Sequence, residues 1–340
     1  MQGDIGIYSG NYETFLEDLL KTEKGREALG KIGVLKYPYL NSLIKETLNS
    51  VEKKQYKTNI TSIDNFYNGG LKPELYVIGA EPGVGKTTLA LQLADGLAVN
   101  NYDIAYFSLE MSADEMVTKS LSRMSYTKNI TLDEYDYSNI EPFTYESFSD
   151  VIHNVDKSNI SNLIQTYELT IYPKVNFIYC REFKPYYTLK NVEMTIINYT
   201  RYHNTKPVII IDYLQLLRLN DDVDEGNGIR LDTSEIVKQL KQYSKKYNVP
   251  IIVISSLNRA SYRIGKKNQD ELGLDCFKET GGIEYTADNL LVIVPQSNIN
   301  TSEDTMFLDL FILKNRHGKK NVKLPFIFNG AYSYYQELES

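Results

Sequence analysis

The sequence predicts an α/β fold: a mostly parallel, twisted sheet covered by helices on both faces, preceded by a short helical extension. Three observations carry this prediction. From about residue 74 onward, apolar strand patterns alternate with helical ones. Val208-Ile209-Ile210-Ile211 is continuously apolar, as expected of a parallel strand buried on both faces. A glycine-containing turn, Gly83-Val84-Gly85-Lys86-Thr87, joins an apolar strand to a helix.

The elements follow in order. Residues 1–55 are polar, with Phe15, Leu16, Leu19 and Leu20 on one apolar face and Leu40, Leu43, Ile44, Leu48 and Val51 on a second. Two readings stand for this extension: helices packed on their own domain, or an arm that docks on a neighbouring subunit. The domain proper is expected over 56–340. Leu75–Ala80 reads as a strand and Lys86–Asn100 as a helix with Leu89, Leu93 and Leu97 on one side. Asp103–Leu109 is the next strand, and Ser112–Met124 a helix with Ser112 as its N-cap. After a stretch of weak periodicity, 125–205, in which only Leu189–Tyr202 reads as helical, come the strand Val208–Ile211 and a helix marked by Ile236, Leu240, Tyr243 and Tyr247. Ile251–Ser255 and Leu290–Val294 are further buried strands. Met306–Leu313 and Asn321–Phe328 read as a hairpin around Lys314–Lys320.

The composition is that of an ordinary globular chain, and 340 residues bury enough apolar surface to fold without staples. Cys180 and Cys276 stand far apart and outside any metal-ligand spacing, which points to a reducing compartment. The N-terminus lacks the pattern of a secretory signal, and no apolar run is long enough to span a membrane. A soluble, cytoplasmic protein is expected. The net charge of −7 excludes a generally basic coat for nucleic acid, but leaves room for a basic channel in an acidic ring.

The chemistry concentrates at residues 80–88. Glu81, Pro82, Gly83, Val84, Gly85, Lys86, Thr87 and Thr88 form a P-loop between strand and helix. Gly83 and Gly85 permit the backbone conformations that turn successive amides toward phosphate, and the helix N-terminus adds unpaired N–H groups. Lys86 supplies a full charge for the β- and γ-phosphates of ATP, and Thr87 a hydroxyl for Mg2+. The usual first glycine is Ala80, with Gly79 one step early. Asp212 ends the strand Val208–Ile211 and is expected beside the P-loop, where it would hold Mg2+ through water. Glu110 follows the strand ending at Leu109. A carboxylate there can orient and deprotonate an attacking water, and it is equally the place of a solvated acid at a helix start.

With these residues in view, the sequence resembles the replicative DNA helicases of the DnaB type. Phe107-Ser108-Leu109-Glu110-Met111-Ser112 and Ile211-Asp212-Tyr213-Leu214-Gln215-Leu216 are similar to two of the family's signatures. Asn65–Leu71 resembles the entry to its first core strand, and Ser255-Ser256-Leu257-Asn258-Arg259 its sensor strand. Lys278–Asp288 resembles its DNA-facing loop and the strand after it, and Lys314-Asn315-Arg316-His317-Gly318 its trans-acting finger. The resemblance covers about 58–330. It implies a RecA-like ATPase assembled as a hexameric ring with ATP between subunits and Lys86, Thr87 and Asp212 on MgATP. It also makes Glu110 the catalytic base, with Lys314 and Arg316 reaching the γ-phosphate of a neighbouring subunit. The other reading of Lys314 and Arg316 is a solvated basic hairpin tip. Lys278, Glu279 and Gly281 match the loop that contacts single-stranded DNA in the family, and Arg263, Lys266 and Lys267 add positive charge nearby or belong to an ordinary exposed loop.

The chain departs from the family at three places. Ser256 stands where the sensor strand normally carries Gln, too short to span from γ-phosphate to DNA loop. Lys119 and Lys278 stand where arginine is usual, which keeps charge but loses the bidentate fork. About fifty-five residues precede the core in place of the family's bulky N-terminal domain, so contacts with a loader or primase are not implied. Two functions are therefore carried forward: an ATP-driven hexameric helicase or translocase on single-stranded DNA, serving a phage, plasmid or bacterial element, and a RecA-fold ATPase that uses nucleotide for assembly or partner regulation without unwinding. A recombinase on the same core is a third.

Overall fold

The computed structural model describes residues 21–22, 24, 54–132, 134–148, 157–179, 186–219, 229–257, 273–277, 281–296 and 305–338. The chain divides into two compact units, Met1–Lys54 and Gln55–Ser340. The apolar faces noted before residue 55 lie outside the described residues.

A short helix, α1 (Thr61–Phe66), leads into β1 (Leu75–Ala80), every residue of which is buried. Then follow α2 (Lys86–Val99), β2 (Ile104–Ser108) and α3 (Ala113–Thr127). The stretch 125–205 holds two elements that were not expected, α4 (Lys157–Thr170) and β3 (Val175–Tyr179), and then the dipeptide strand β4 (Tyr187–Thr188). Next come α5 (Leu189–Tyr202), β5 (Val208–Asp212), β6 (Leu217–Arg218), α6 (Ile229–Tyr247) and β7 (Ile251–Ser256). The domain ends with α7 (Gly281–Thr286), β8 (Asn289–Pro295), β9 (Thr305–Asn315), β10 (Val322–Asn329) and β11 (Tyr334–Glu337).

Among the described residues nine strands make one sheet in the order β11-β10-β9-β8-β1-β7-β5-β2-β3. The pairings from β8 through β1, β7, β5 and β2 to β3 are all parallel, and β9, β10 and β11 extend the sheet antiparallel. Side chains on a strand alternate between faces. Tyr76, Ile78 and Ala80 accordingly pack into one core with α2, α3 and α4, while Leu75 and Val77 pack into the other with α5 and α6. This two-faced burial explains why β1, β5 and β7 read as unbroken apolar runs.

Three devices tie the ends of the domain to its centre. Helix α1 has no capping side chain of its own at Ile60, and the Glu337 carboxylate accepts instead from Thr61 N (3.0 Å) and Ser62 N (2.5 Å). The buried Arg123 of α3 pairs with Asp95 of α2 and donates to the Ser333 carbonyl (2.8 Å) in the turn before β11. Gln92 of α2 exchanges two hydrogen bonds with the Tyr335 backbone, at 2.9 and 2.8 Å. The expected Ser112 cap of α3 is present as a capping box with Glu115. Cys276 is a buried thiol, and Cys180 lies outside the described residues. Among the described residues no helix is long and apolar enough to cross a membrane.

Candidate active site

All six parallel strands point their C-terminal ends to one edge of the sheet, and the site lies there. β1 delivers Ala80, and the chain then turns through Glu81–Gly85 into α2. Gly83 and Gly85 take left-handed backbone angles, φ 84° and 81°. The two glycines serve different ends. A side-chain carbon placed on Gly83 would meet nothing within 4 Å, so that position borders open space. The same carbon on Gly85 would meet the Phe328 ring at 2.7 Å, because β10 passes directly beneath the turn. Gly79 is excluded from larger residues by Leu257 and Phe277 and plays no part in the turn.

A cavity of about 450 Å3 opens at this edge. Pro82, Gly83, Gly85, Lys86, Thr87 and Thr88 line one wall. Asp212, at the end of β5, and Glu110, two residues past β2, face them. β2 and β5 are neighbours, with Ser108 opposite Asp212, and Leu109 N donates to the Asp212 carbonyl at 2.8 Å. The two acids expected from separate sequence motifs thus converge because their strands are adjacent. Met111, Lys119, Tyr213, Ser256, Phe328 and Gly330 complete the lining. The Lys119 ammonium stands 4.9 Å from the centre of the Tyr145 ring at this rim.

The electrostatics suit a polyanion with a divalent cation. The Lys86 ammonium donates to the carbonyls of Ala80 (3.2 Å) and Glu81 (2.9 Å), which curls it back over the turn. Burial lowers its pKa, and the nearby Asp212 and Glu110 charges oppose that fall. Asp212 is buried, and burial raises its pKa despite hydrogen bonds from Thr87 and Tyr106. Its Oδ2 accepts from the Tyr106 hydroxyl at 3.2 Å. A hydroxyl and a carboxylate form a hard oxygen donor set of the kind Mg2+ prefers. With the open space at Gly83 and a lysine not committed to an acid, these residues fit a magnesium-bound nucleoside triphosphate.

Among the remaining predicted residues, the described ones do not line this cavity. Lys314 and Arg316 lie at the other edge of the sheet: Arg316 N donates to the Asp288 carbonyl (2.9 Å), where β8 begins, and Lys314 donates to the Glu284 carbonyl (2.6 Å). Gly281 opens α7. Arg263, Lys266, Lys267, Lys278 and Glu279 lie outside the described residues. Sequence reasoning missed Tyr106, Phe328 and Tyr335. Tyr335 donates to the Val84 carbonyl inside the turn. The nearest signal was the aromatic richness of the last strands, which carries no hint of where they go.

The model of the DnaB-like helicase C terminal domain family matches residues 56–337. The chain belongs to this family. Similar DnaB-like relatives include the replicative DNA helicase DnaB of Leifsonia xyli subsp. xyli, 27% identical over 319 residues that cover 89% of this chain and 62% of that protein. Another is the replicative DNA helicase DnaB of Haemophilus influenzae, 28% identical over 288 residues, covering 83% and 55%. The chain spans between 48% and 62% of the length of the first curated relatives it matches. Among solved structures it is similar in fold to an isolated ATPase domain (TM-score 0.70, 18% identity, 88% of this chain and 99% of that one). It is also similar to a DnaB-like replicative helicase whose interactions with primase were studied (TM-score 0.70, 17% identity, 96% and 75%). The DnaB-like fold is thus the RecA-like helicase ATPase fold, with a large, mostly parallel sheet flanked by helices.

Proposed function

We propose that this chain is the motor domain of an ATP-dependent replicative helicase, acting on single-stranded DNA as a ring of subunits, with six expected from the family. Family membership implies nucleotide use, and the names of its relatives support DNA replication as the setting. The observation that carries the reading is the division of the motif residues between two edges of one sheet. Lys86, Thr87, Asp212 and Glu110 share a cavity at the C-terminal edge, while Lys314 and Arg316 stand at the opposite one. β1 is six residues long, so its five steps of about 3.3 Å separate the edges by roughly 17 Å. Arg316 therefore cannot reach its own cavity, and where it acts on a transferring phosphate it does so at a neighbour's cavity.

In this reading Glu81–Thr88 cradle the phosphates, and Lys86 swings from the Ala80 and Glu81 carbonyls onto the β- and γ-oxygens. Thr87 and Asp212 would hold Mg2+, which would supply positive charge against the phosphates. Tyr106 holds one oxygen of Asp212. Glu110, exposed at the cavity wall, orients the attacking water and takes its proton. Arg316 of a neighbouring subunit, assisted by Lys314, completes the site. Lys278, Glu279 and Gly281, with Arg263, Lys266 and Lys267, are proposed to follow the DNA backbone. The extension 1–55 is proposed as a separate unit with an oligomerising role.

Turnover of ATP measured with and without single-stranded DNA at low salt tests this function. A rise with DNA that fades as salt increases is expected. Turnover indifferent to DNA at every salt concentration would instead support a RecA-fold ATPase that assembles or regulates without moving on nucleic acid. Ser256, at the cavity wall in place of a longer amide, is the observation that favours that second reading.

A further inference from the structure

The base of the Lys314–Gly318 finger carries a charge arrangement that the proposed mechanism does not use. Asp288, buried just before β8, has both oxygens engaged. Oδ2 accepts from Leu75 N at 3.1 Å, and Oδ1 forms a close ion pair with Lys241 of α6. Arg316 approaches the same Oδ1 more loosely, its Nη1 at 3.8 Å, and its side chain remains 52% exposed. The neighbouring Glu74 accepts from Asn289 Nδ2 through Oε2 (2.8 Å), and its buried Oε1, without a hydrogen-bond partner, faces His317 at 3.8 Å. Two cations thus share one buried carboxylate, and the buried one, Lys241, holds it.

A buried carboxylate that loses its cation takes another if one is within reach, since an uncompensated buried charge is costly. Without Lys241, Arg316, already 3.8 Å from Oδ1, is the nearest described cation, since Lys314 is held by the Glu284 carbonyl. We propose that Lys241 is a positioning residue for Arg316: by neutralising Asp288 it keeps the guanidinium from being drawn onto that carboxylate and leaves it presentable to a neighbouring subunit. The consequence for turnover rests on the reading of Arg316 given above, whereas the contact itself does not.

The test therefore uses two readouts on the full chain. The first is the rate at which phenylglyoxal labels Arg316, followed by peptide mass spectrometry. The second is ATP turnover, beside nucleotide affinity from a fluorescent ATP analogue. Lys241→Met is expected to slow labelling and to lower kcat, each by about tenfold, with affinity changed less than about twofold. Adding Asp288→Asn, which keeps the acceptor for Leu75 N but removes the charge, is expected to return both to within about threefold of the parent. Unchanged labelling in folded Lys241→Met overturns the inference, as does a folded double variant that stays slow. Should Lys241→Met not fold, the double variant decides, because a neutral pair that labels more slowly than the parent also overturns it. If labelling follows the prediction while Arg316→Ala keeps full turnover, Lys241 still governs Arg316, and it is the trans-acting role of Arg316 that falls.

Discussion

Single residues at the cavity do different work with similar chemistry. Gly85 is pinned twice, by a left-handed φ and by the Phe328 ring beneath it. Gly85→Ala should cost about 1–3 kcal/mol of stability and weaken nucleotide binding, as seen by thermal melting and titration with an ATP analogue. Gly83 has a similar left-handed φ but open space, so alanine there should cost less than at Gly85 in the same melt. Glu110→Gln should bind nucleotide as the parent does and lose about 100-fold or more in kcat, since proton removal from water is the step it is assigned. Normal turnover in that variant would return Glu110 to the role of a solvated acid at the start of α3. Asp212 and Glu110 were both readable as acids closing apolar strands. Tyr106 was not, because a tyrosine inside a strand looks like any other aromatic until the strand beside it places Asp212 within reach of its hydroxyl.

At the scale of elements, the C-terminal strands act on a turn some 250 residues earlier in the chain. Tyr335 of β11 is buried and donates to the Val84 carbonyl, and Gln92 fastens its backbone to α2. Removing the hydroxyl with Tyr335→Phe leaves that carbonyl without its donor, at a cost of about 1–3 kcal/mol, and should reduce nucleotide affinity more than a surface tyrosine change of equal size. Glu337→Ala should uncap α1 and lower stability by about 1 kcal/mol, measured by denaturant unfolding. Periodicity exposed β1, β2, β5, β7 and β8 because both of their faces are covered. It missed β3 for the complementary reason: Val175–Tyr179 is an edge strand with Asn176 exposed. α4 before it does carry an apolar face at helical spacing, Ile160, Leu163, Ile164 and Tyr167, so its pattern was legible. Short, half-solvated elements carry a weak pattern even when they pair in good register, as β3 does with β2.

For the molecule as a whole, the fold divides its phosphate chemistry between two edges that a single copy cannot bring together. Mixing Arg316→Ala subunits with Lys86→Ala subunits should restore part of the turnover that each has lost, since some interfaces then combine an intact cradle with an intact finger. A mixture as inactive as either variant alone would mean that the finger does not act across subunits. The net charge of −7 reports nothing of this arrangement, because the cations that matter are few and local.

From its residues alone, this chain determined the α/β alternation, the glycine turn at the strand–helix junction, the acid that ends β5 and the acid that follows β2. Those features are written locally, in backbone conformational need, in burial on both faces of a strand and in the polarity of a strand's last residue. Which motifs meet was decided only in three dimensions. Strand order put Glu110 and Asp212 beside Lys86, and the antiparallel return of β9 carried Arg316 away from them. Lys241, Asp288 and Arg316, far apart along the chain, became one charge cluster because α6 passes the place where β8 begins and β9 ends. Strand pairing is a long-range choice made by the packing of the whole sheet, and no local pattern records it.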